Sequence, residues 1–121
     1  KRWLVLTPEE WVRQHLILHL HIDLGHPISL MTTERAASRG SRPGRTDLVC
    51  HGTDGKPFIL AECKAPAVAL SNEALLQAAA YNARIGATHV AVTNGLQLHC
   101  ASLSGNGMTW SSSLPAFPHT P

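Results

Sequence analysis

The sequence predicts an α/β fold: a central mixed sheet flanked by helices, in one domain spanning residues 1–121. Three observations carry this. An amphipathic helix with cap chemistry opens the chain, two β-prone runs separated by a glycine turn form a hairpin in the middle, and an Ala/Leu-rich helix then leads into a further β-prone run. With 121 residues, 44% hydrophobic and 15% charged, the chain can bury a core, which excludes a disordered or fibrous protein.

The first helix starts at Thr7, with Pro8 at its first position and Glu10 three residues after the cap, the pattern of a capping box. Trp11, Val12, Leu16, Ile17, Leu20 and Leu24 recur at helical spacing, and Gly25 followed by Pro27 stops the helix. Residues 28–37 are expected as a weakly patterned strand and Ser38–Arg45 as a loop. Thr46–His51 and Phe58–Lys64 read as strands joined across Gly52–Gly55. Ser71 or Asn72 caps a second helix reaching Ile85 before Gly86. His89–Thr93, the Asn94-Gly95 turn, Leu96–Ala101 and Met108–Trp110 supply the remaining strands. Trp11, Phe58 and Trp110 are expected in the core.

Charge is unevenly distributed. The net charge is only +2, yet Glu34–Arg45 holds four arginines against one glutamate, and no formally charged residue follows Arg84. Arg39, Arg42 and Arg45 therefore form an exposed basic loop suited to phosphates, and charge-based chemistry is confined to the first two thirds of the chain. Cys50, Cys63 and Cys100 show no paired spacing, so a reducing, cytoplasmic setting is expected, with the thiols as small buried side chains. No secretory leader and no apolar run long enough for a membrane span is legible, so no membrane partner is expected. His15 and His19 share a helix face, but the intervening Leu16-Ile17-Leu18 lacks the glutamate of a zinc hydrolase helix, so both are read as solvent or packing residues.

The sharpest local feature is Glu62-Cys63-Lys64, two charged residues around a cysteine after the apolar run Phe58–Ala61. Alternation puts Glu62 and Lys64 on one face and Cys63 on the other, and the hairpin brings Asp47 beside Glu62. Two adjacent carboxylates repel each other, and a divalent cation relieves that repulsion. Oxygen ligands suit Mg²⁺ or Mn²⁺, and Lys64 can neutralise charge on phosphoryl oxygens.

Asp47 followed by Glu62-x-Lys64 resembles the PD-(D/E)xK nuclease core, with Thr46 where the motif has proline. Thr7-Pro8-Glu9-Glu10-Trp11-Val12-Arg13-Gln14, Glu62-Cys63-Lys64-Ala65-Pro66, Gln77 through Tyr81-Asn82, and Thr93-Asn94-Gly95 resemble the N-terminal nuclease domain of type I restriction enzyme R subunits, in a small stand-alone bacterial form. The resemblance implies a restriction-endonuclease-like αβββαβ core with extra C-terminal strands. It further implies a metal held by Asp47, Glu62 and the Cys63 backbone carbonyl, with Glu10 or Glu34 as a further acid. Lys64 would assist the nucleophilic water, and Gln77 and Tyr81 would match a Q-x-x-x-Y element that contacts DNA or braces the metal ligands. The implied activity is Mg²⁺- or Mn²⁺-dependent hydrolysis of DNA phosphodiesters by an endonuclease, leaving 5′-phosphate and 3′-hydroxyl ends. Implied partners are DNA, a second copy of the chain, and separate translocase or modification subunits. A catalytically inactive DNA-binding or assembly module with the same fold is the alternative.

Overall fold

The computed structural model describes residues 7–34, 46–105 and 107–118. Within them, helix α1 (Pro8–Leu18) is followed by a π-helical turn (His19–Asp23), a 3₁₀ turn (Ile28–Leu30) and strands β1 (Met31–Glu34), β2 (Thr46–His51) and β3 (Pro57–Cys63). Helix α2 (Asn72–Tyr81), another 3₁₀ turn (Asn82–Arg84) and strands β4 (His89–Thr93), β5 (Leu98–Ser104) and β6 (Gly107–Ser111) complete the order. The six strands form one sheet in the order β1-β2-β3-β4-β5-β6. Every neighbouring pair is antiparallel except β3–β4, which is parallel because α2 makes the crossover between them.

The helices start where the side chains can satisfy orphan amides. Thr7 Oγ1 accepts the Glu10 N–H at 3.1 Å, and Ser71 Oγ accepts the Ala74 N–H at 3.2 Å. Each helix covers its own face of the sheet. Val12 and Leu16 of α1, with Leu20, pack on Leu48, Cys50, Ile59, Ala61, Cys63, Ala91 and Cys100. Ala74, Leu75 and Ala78 of α2 pack on Val49, Leu60, Val90, Val92 and Ala101. Alternate residues of β2, β3 and β4 thus divide cleanly between two apolar layers, as expected of central strands buried on both faces.

Several expectations need correction. The strand foreseen over residues 28–37 starts only at Met31, because Ile28–Leu30 turns tightly after Pro27, and is described to Glu34; residues 35–37 lie outside the described residues. The second helix ends as α-helix at Tyr81 and narrows to a 3₁₀ turn, because Asn82 leaves the helical pattern to hold the next loop. The strand after Asn94-Gly95 begins at Leu98, and Leu96 is 79% exposed at the turn. Trp11 and Trp110 are 44% and 48% exposed and are not core residues, although Phe58 does pack against the α1 layer. Helical spacing placed Trp11 near the apolar stripe, but it lies at the rim of that stripe, and Trp110 is on the edge strand β6. All three cysteines are buried and free, as the sequence suggested.

The return from α2 to β4 depends on one buried side chain. Asn82 Nδ2 donates to the Ala87 carbonyl at 2.8 Å, and its Oδ1 accepts the Ala87 N–H at 3.0 Å, spanning the Gly86 turn where φ is +86°. Because both Ala87 backbone groups would be left buried and unsatisfied, Asn82→Ala is expected to lower the unfolding free energy by about 2–4 kcal/mol, measured by urea titration. A loss within experimental error would show that water or a shifted turn replaces the amide.

Candidate metal centre at the sheet edge

The β2–β3 hairpin sets the relative position of the acids. In its register Thr46 lies opposite Cys63, Asp47 opposite Glu62, and Leu48 opposite Ala61. Directly opposite residues share a face with Cβ atoms about 4.5–5.5 Å apart. Val49 and Leu60 belong to the α2 layer while Leu48 and Ala61 belong to the α1 layer, so Asp47 and Glu62 stand together on the α2 face. Glu62 is only 2% exposed, and Asp47 Oδ1 and Glu62 Oε2 are both shielded from solvent. Two neighbouring acids in this setting are costly as a structural ornament, because like charges directly across a sheet destabilise it.

Lys64 follows the last residue of β3. Its Nζ lies 3.7 Å from Glu62 Oε2, and its backbone N–H donates to the Thr93 carbonyl at 2.8 Å. That hydrogen bond continues the β3–β4 pairing past Cys63, which stands in register with Thr93. Asn94 braces the same region: its Nδ2 donates to the Val68 carbonyl at 2.7 Å and its Oδ1 accepts the Leu96 and Gln97 N–H groups. Sequence reasoning read Thr93 as the end of a strand and Asn94-Gly95 as a turn, and missed this bracing. The Asn-Gly pair signalled the turn, but only the parallel register shows that it abuts Lys64.

Of the further acids, Glu10 lies on α1, and its carboxylate is held by Arg13 and, at 3.5 Å, by Gln14. Glu34 occupies the register position opposite Asp47 on β1, so Glu34, Asp47 and Glu62 are consecutive in one cross-strand row. Gln77 is exposed and Tyr81 half-buried on α2, the helix that covers the Asp47–Glu62 face, and Tyr81 packs against the Val49 and Leu60 layer. Arg39, Arg42 and Arg45 lie outside the described residues. Among the described residues, no group of three or more His, Cys, Asp and Glu side chains gathers as a metal cluster. The two acids that the strand register brings together on one face are Asp47 and Glu62. A pair of carboxylates is the kind of donor set that a hard divalent cation retaining several waters can use, since Mg²⁺ commonly takes only one or two protein carboxylates.

The Cys63 thiol points to the opposite layer and is pushed up to about 12. Burial is the main cause; the charge of Asp47 adds to it, Arg13 opposes it, and Glu62 and Glu10 contribute further. Cys50 is pushed up to about 12 by burial alone. Burial therefore disfavours the thiolate form of both near neutral pH.

The fold and this site define an α/β domain that presents two acids and a lysine at the C-terminal end of a central parallel strand pair. The chain matches the family model described as type I restriction enzyme R protein N terminus (HSDR_N) over residues 8–118. It belongs to that family, which supports a restriction and DNA-processing context. No curated protein and no solved structure matches it. No helix among the described residues is long and apolar enough to cross a membrane.

Native protein is expected to leave Cys50, Cys63 and Cys100 unlabelled by an aromatic disulfide reagent near neutral pH, with labelling appearing only on denaturation. Above the ordinary thiol pKa of 9.0 the unfolded chain loses thiol protons that the folded chain keeps, so stability should fall as pH rises toward 12. Rapid native labelling of Cys63 would contradict its burial.

Proposed function

We propose that this protein is a metal-dependent DNA endonuclease of the PD-(D/E)xK type, with a restriction-endonuclease-like core, acting as the nuclease component of a cytoplasmic restriction system. The observation that carries the reading is the direct cross-strand pairing of Asp47 with Glu62 on one sheet face, with Lys64 Nζ 3.7 Å from Glu62. Family membership over nearly the whole chain supports the same reading.

Asp47, Glu62 and the Cys63 carbonyl would hold Mg²⁺ or Mn²⁺. When bound, such a cation polarises a phosphoryl oxygen and acidifies a water. The protein groups supply the rest. The two carboxylates fix the site at the end of rigid strands, so little reorganisation accompanies reaction. Lys64, tethered through its backbone to Thr93, presents an ammonium to the charge that builds on the phosphate oxygens as the diester is attacked. Burial of Glu62 lowers the local dielectric and strengthens that attraction. Gln77 and Tyr81, on the helix over this face, would bond to the DNA backbone or brace the acids. A further acid would come from Glu34, whose register position extends the Asp47–Glu62 row, or from Glu10 of α1, whose charge reaches Cys63.

Arg39, Arg42 and Arg45 would contact phosphates without reading sequence. They stand in the segment joining Glu34 to Asp47, so phosphates held there would lie near the acids. DNA, a second copy of the chain for the opposite strand, and separately encoded translocase or modification subunits are the expected partners.

In a plasmid-nicking assay with Mn²⁺ or Mg²⁺, wild type is expected to cleave and chelation to stop it. Asp47→Ala, Glu62→Ala and Lys64→Ala should each reduce the rate by about 100-fold or more while retaining the native circular dichroism spectrum. Cleavage by Glu62→Ala equal to wild type would overturn the assignment. Absence of cleavage with retained DNA binding would favour the inactive binding module.

A further inference from the structure

Lys64 carries its ammonium on a long, flexible stem, so where that charge stands depends on how firmly the backbone beneath it is held. The chain leaves the sheet just past this residue. Strand β3 ends at Cys63, and Ala65-Pro66-Ala67-Val68 makes a reverse turn closed by the Val68 N–H, which donates to the Ala65 carbonyl at 3.0 Å. Proline at the second position presets that turn.

The two ends of this segment are fastened to consecutive residues at the end of β4. The Lys64 N–H donates to the Thr93 carbonyl at 2.8 Å, and the Val68 carbonyl accepts from Asn94 Nδ2 at 2.7 Å. Asn94 is held in turn. It is 3% exposed, its Oδ1 accepts the Leu96 N–H at 2.9 Å and the Gln97 N–H at 2.8 Å, and its own N–H donates to the Gln97 carbonyl at 3.3 Å. Thr93 Oγ1 completes the frame, accepting the Gly95 N–H at 3.0 Å and donating to the Gln97 carbonyl at 2.8 Å.

An amide suits both tasks of position 94. Its oxygen caps the β4–β5 turn while its nitrogen reaches across to the loop after Lys64; a carboxylate would keep the first contact and repel the Val68 carbonyl at the second. A turn cap alone needs only an oxygen, which Asp or Ser supplies, so the bond donated to Val68 is surplus to the turn. We infer that Asn94 is a positioning residue for Lys64: by tying the Ala65–Val68 turn to the end of β4, it fixes the point from which the ammonium, 3.7 Å from Glu62 Oε2, addresses the substrate phosphate. The inference rests on the nuclease reading above and adds to it a residue that acts through Lys64. Its physical content is preorganisation, since a misplacement of about 1 Å in a reacting constellation can cost about 100-fold in rate.

The test is a double-mutant cycle of plasmid nicking in Mn²⁺ with enzyme in excess, comparing wild type, Asn94→Ser, Lys64→Ala and the double variant. The serine hydroxyl can still cap the β4–β5 turn but has no N–H that reaches Val68. Asn94→Ser is expected to lower the maximal cleavage rate by about tenfold, with the enzyme concentration giving half that rate within about twofold of wild type. In the Lys64→Ala background the same substitution should change the rate by less than about twofold, because no ammonium is left to misplace. A purely structural Asn94 would lower the rate by the same factor in both backgrounds. That result, or a wild-type rate in Asn94→Ser, overturns the inference and leaves the nuclease reading standing, whereas a wild type that cleaves no DNA removes both. Should Asn94→Ser fail to fold, Asn94→Asp takes its place in the cycle with the same expected coupling. In wild type the Lys64 amide is expected to exchange with solvent as slowly as that of Leu60, and exchange at the rate of an open loop would also overturn the inference.

Discussion

The pairing register of β2 and β3 is the constraint on which the site depends. A strand exchanges its faces when the register slips by one residue, so a slip here would carry Asp47 or Glu62 into the α1 layer and break their juxtaposition. What prevents the slip is the core on both sides. Leu48, Cys50, Ile59 and Ala61 fill one layer while Val49 and Leu60 fill the other, and either set would be displaced with the acids. The same apolar packing that stabilises the sheet therefore positions the polar chemistry at its end.

The acids gain their character from where the apolar runs stop. Glu62 is the penultimate residue of a strand in which the three residues before it, Ile59, Leu60 and Ala61, are buried, and the backbone of Lys64 is still tied to β4 through Thr93. One step farther along, the chain leaves the sheet at Ala65-Pro66. The carboxylates are thus shielded yet only two residues from where the chain leaves the sheet. Thr93-Asn94-Gly95 closes the parallel neighbour at the same level, so the start of the β4–β5 turn stands beside the end of β3.

Much of this was legible in the sequence because the signals were local. The Thr7 and Ser71 caps, the Thr46–His51 and His89–Thr93 runs and the Gly25 and Gly86 stops each follow from a few neighbouring residues. The Asp47–Glu62 juxtaposition followed from the hairpin and strand alternation. Other features depend on tertiary contacts. Periodicity could not show that Trp11 lies at the rim of its stripe, nor that the last turns of the first helix widen to π geometry. Leu114 entering the α1 layer, and the Phe117 N–H reaching the Leu24 carbonyl at 2.9 Å, join segments far apart in the chain. The cross-strand row that Glu34 joins, and the bond from Arg13 that holds Glu10, likewise follow from register and packing that spacing does not reveal.

The central claim is that the paired carboxylates form a site for a hard divalent cation, and isothermal titration calorimetry with Mn²⁺ tests it most directly because it does not depend on substrate or turnover. The account predicts saturable binding by wild type that is lost in both Asp47→Asn and Glu62→Gln, variants that keep the shape of each side chain and remove its charge. Binding of equal strength in wild type and both variants, or none in wild type, would contradict it.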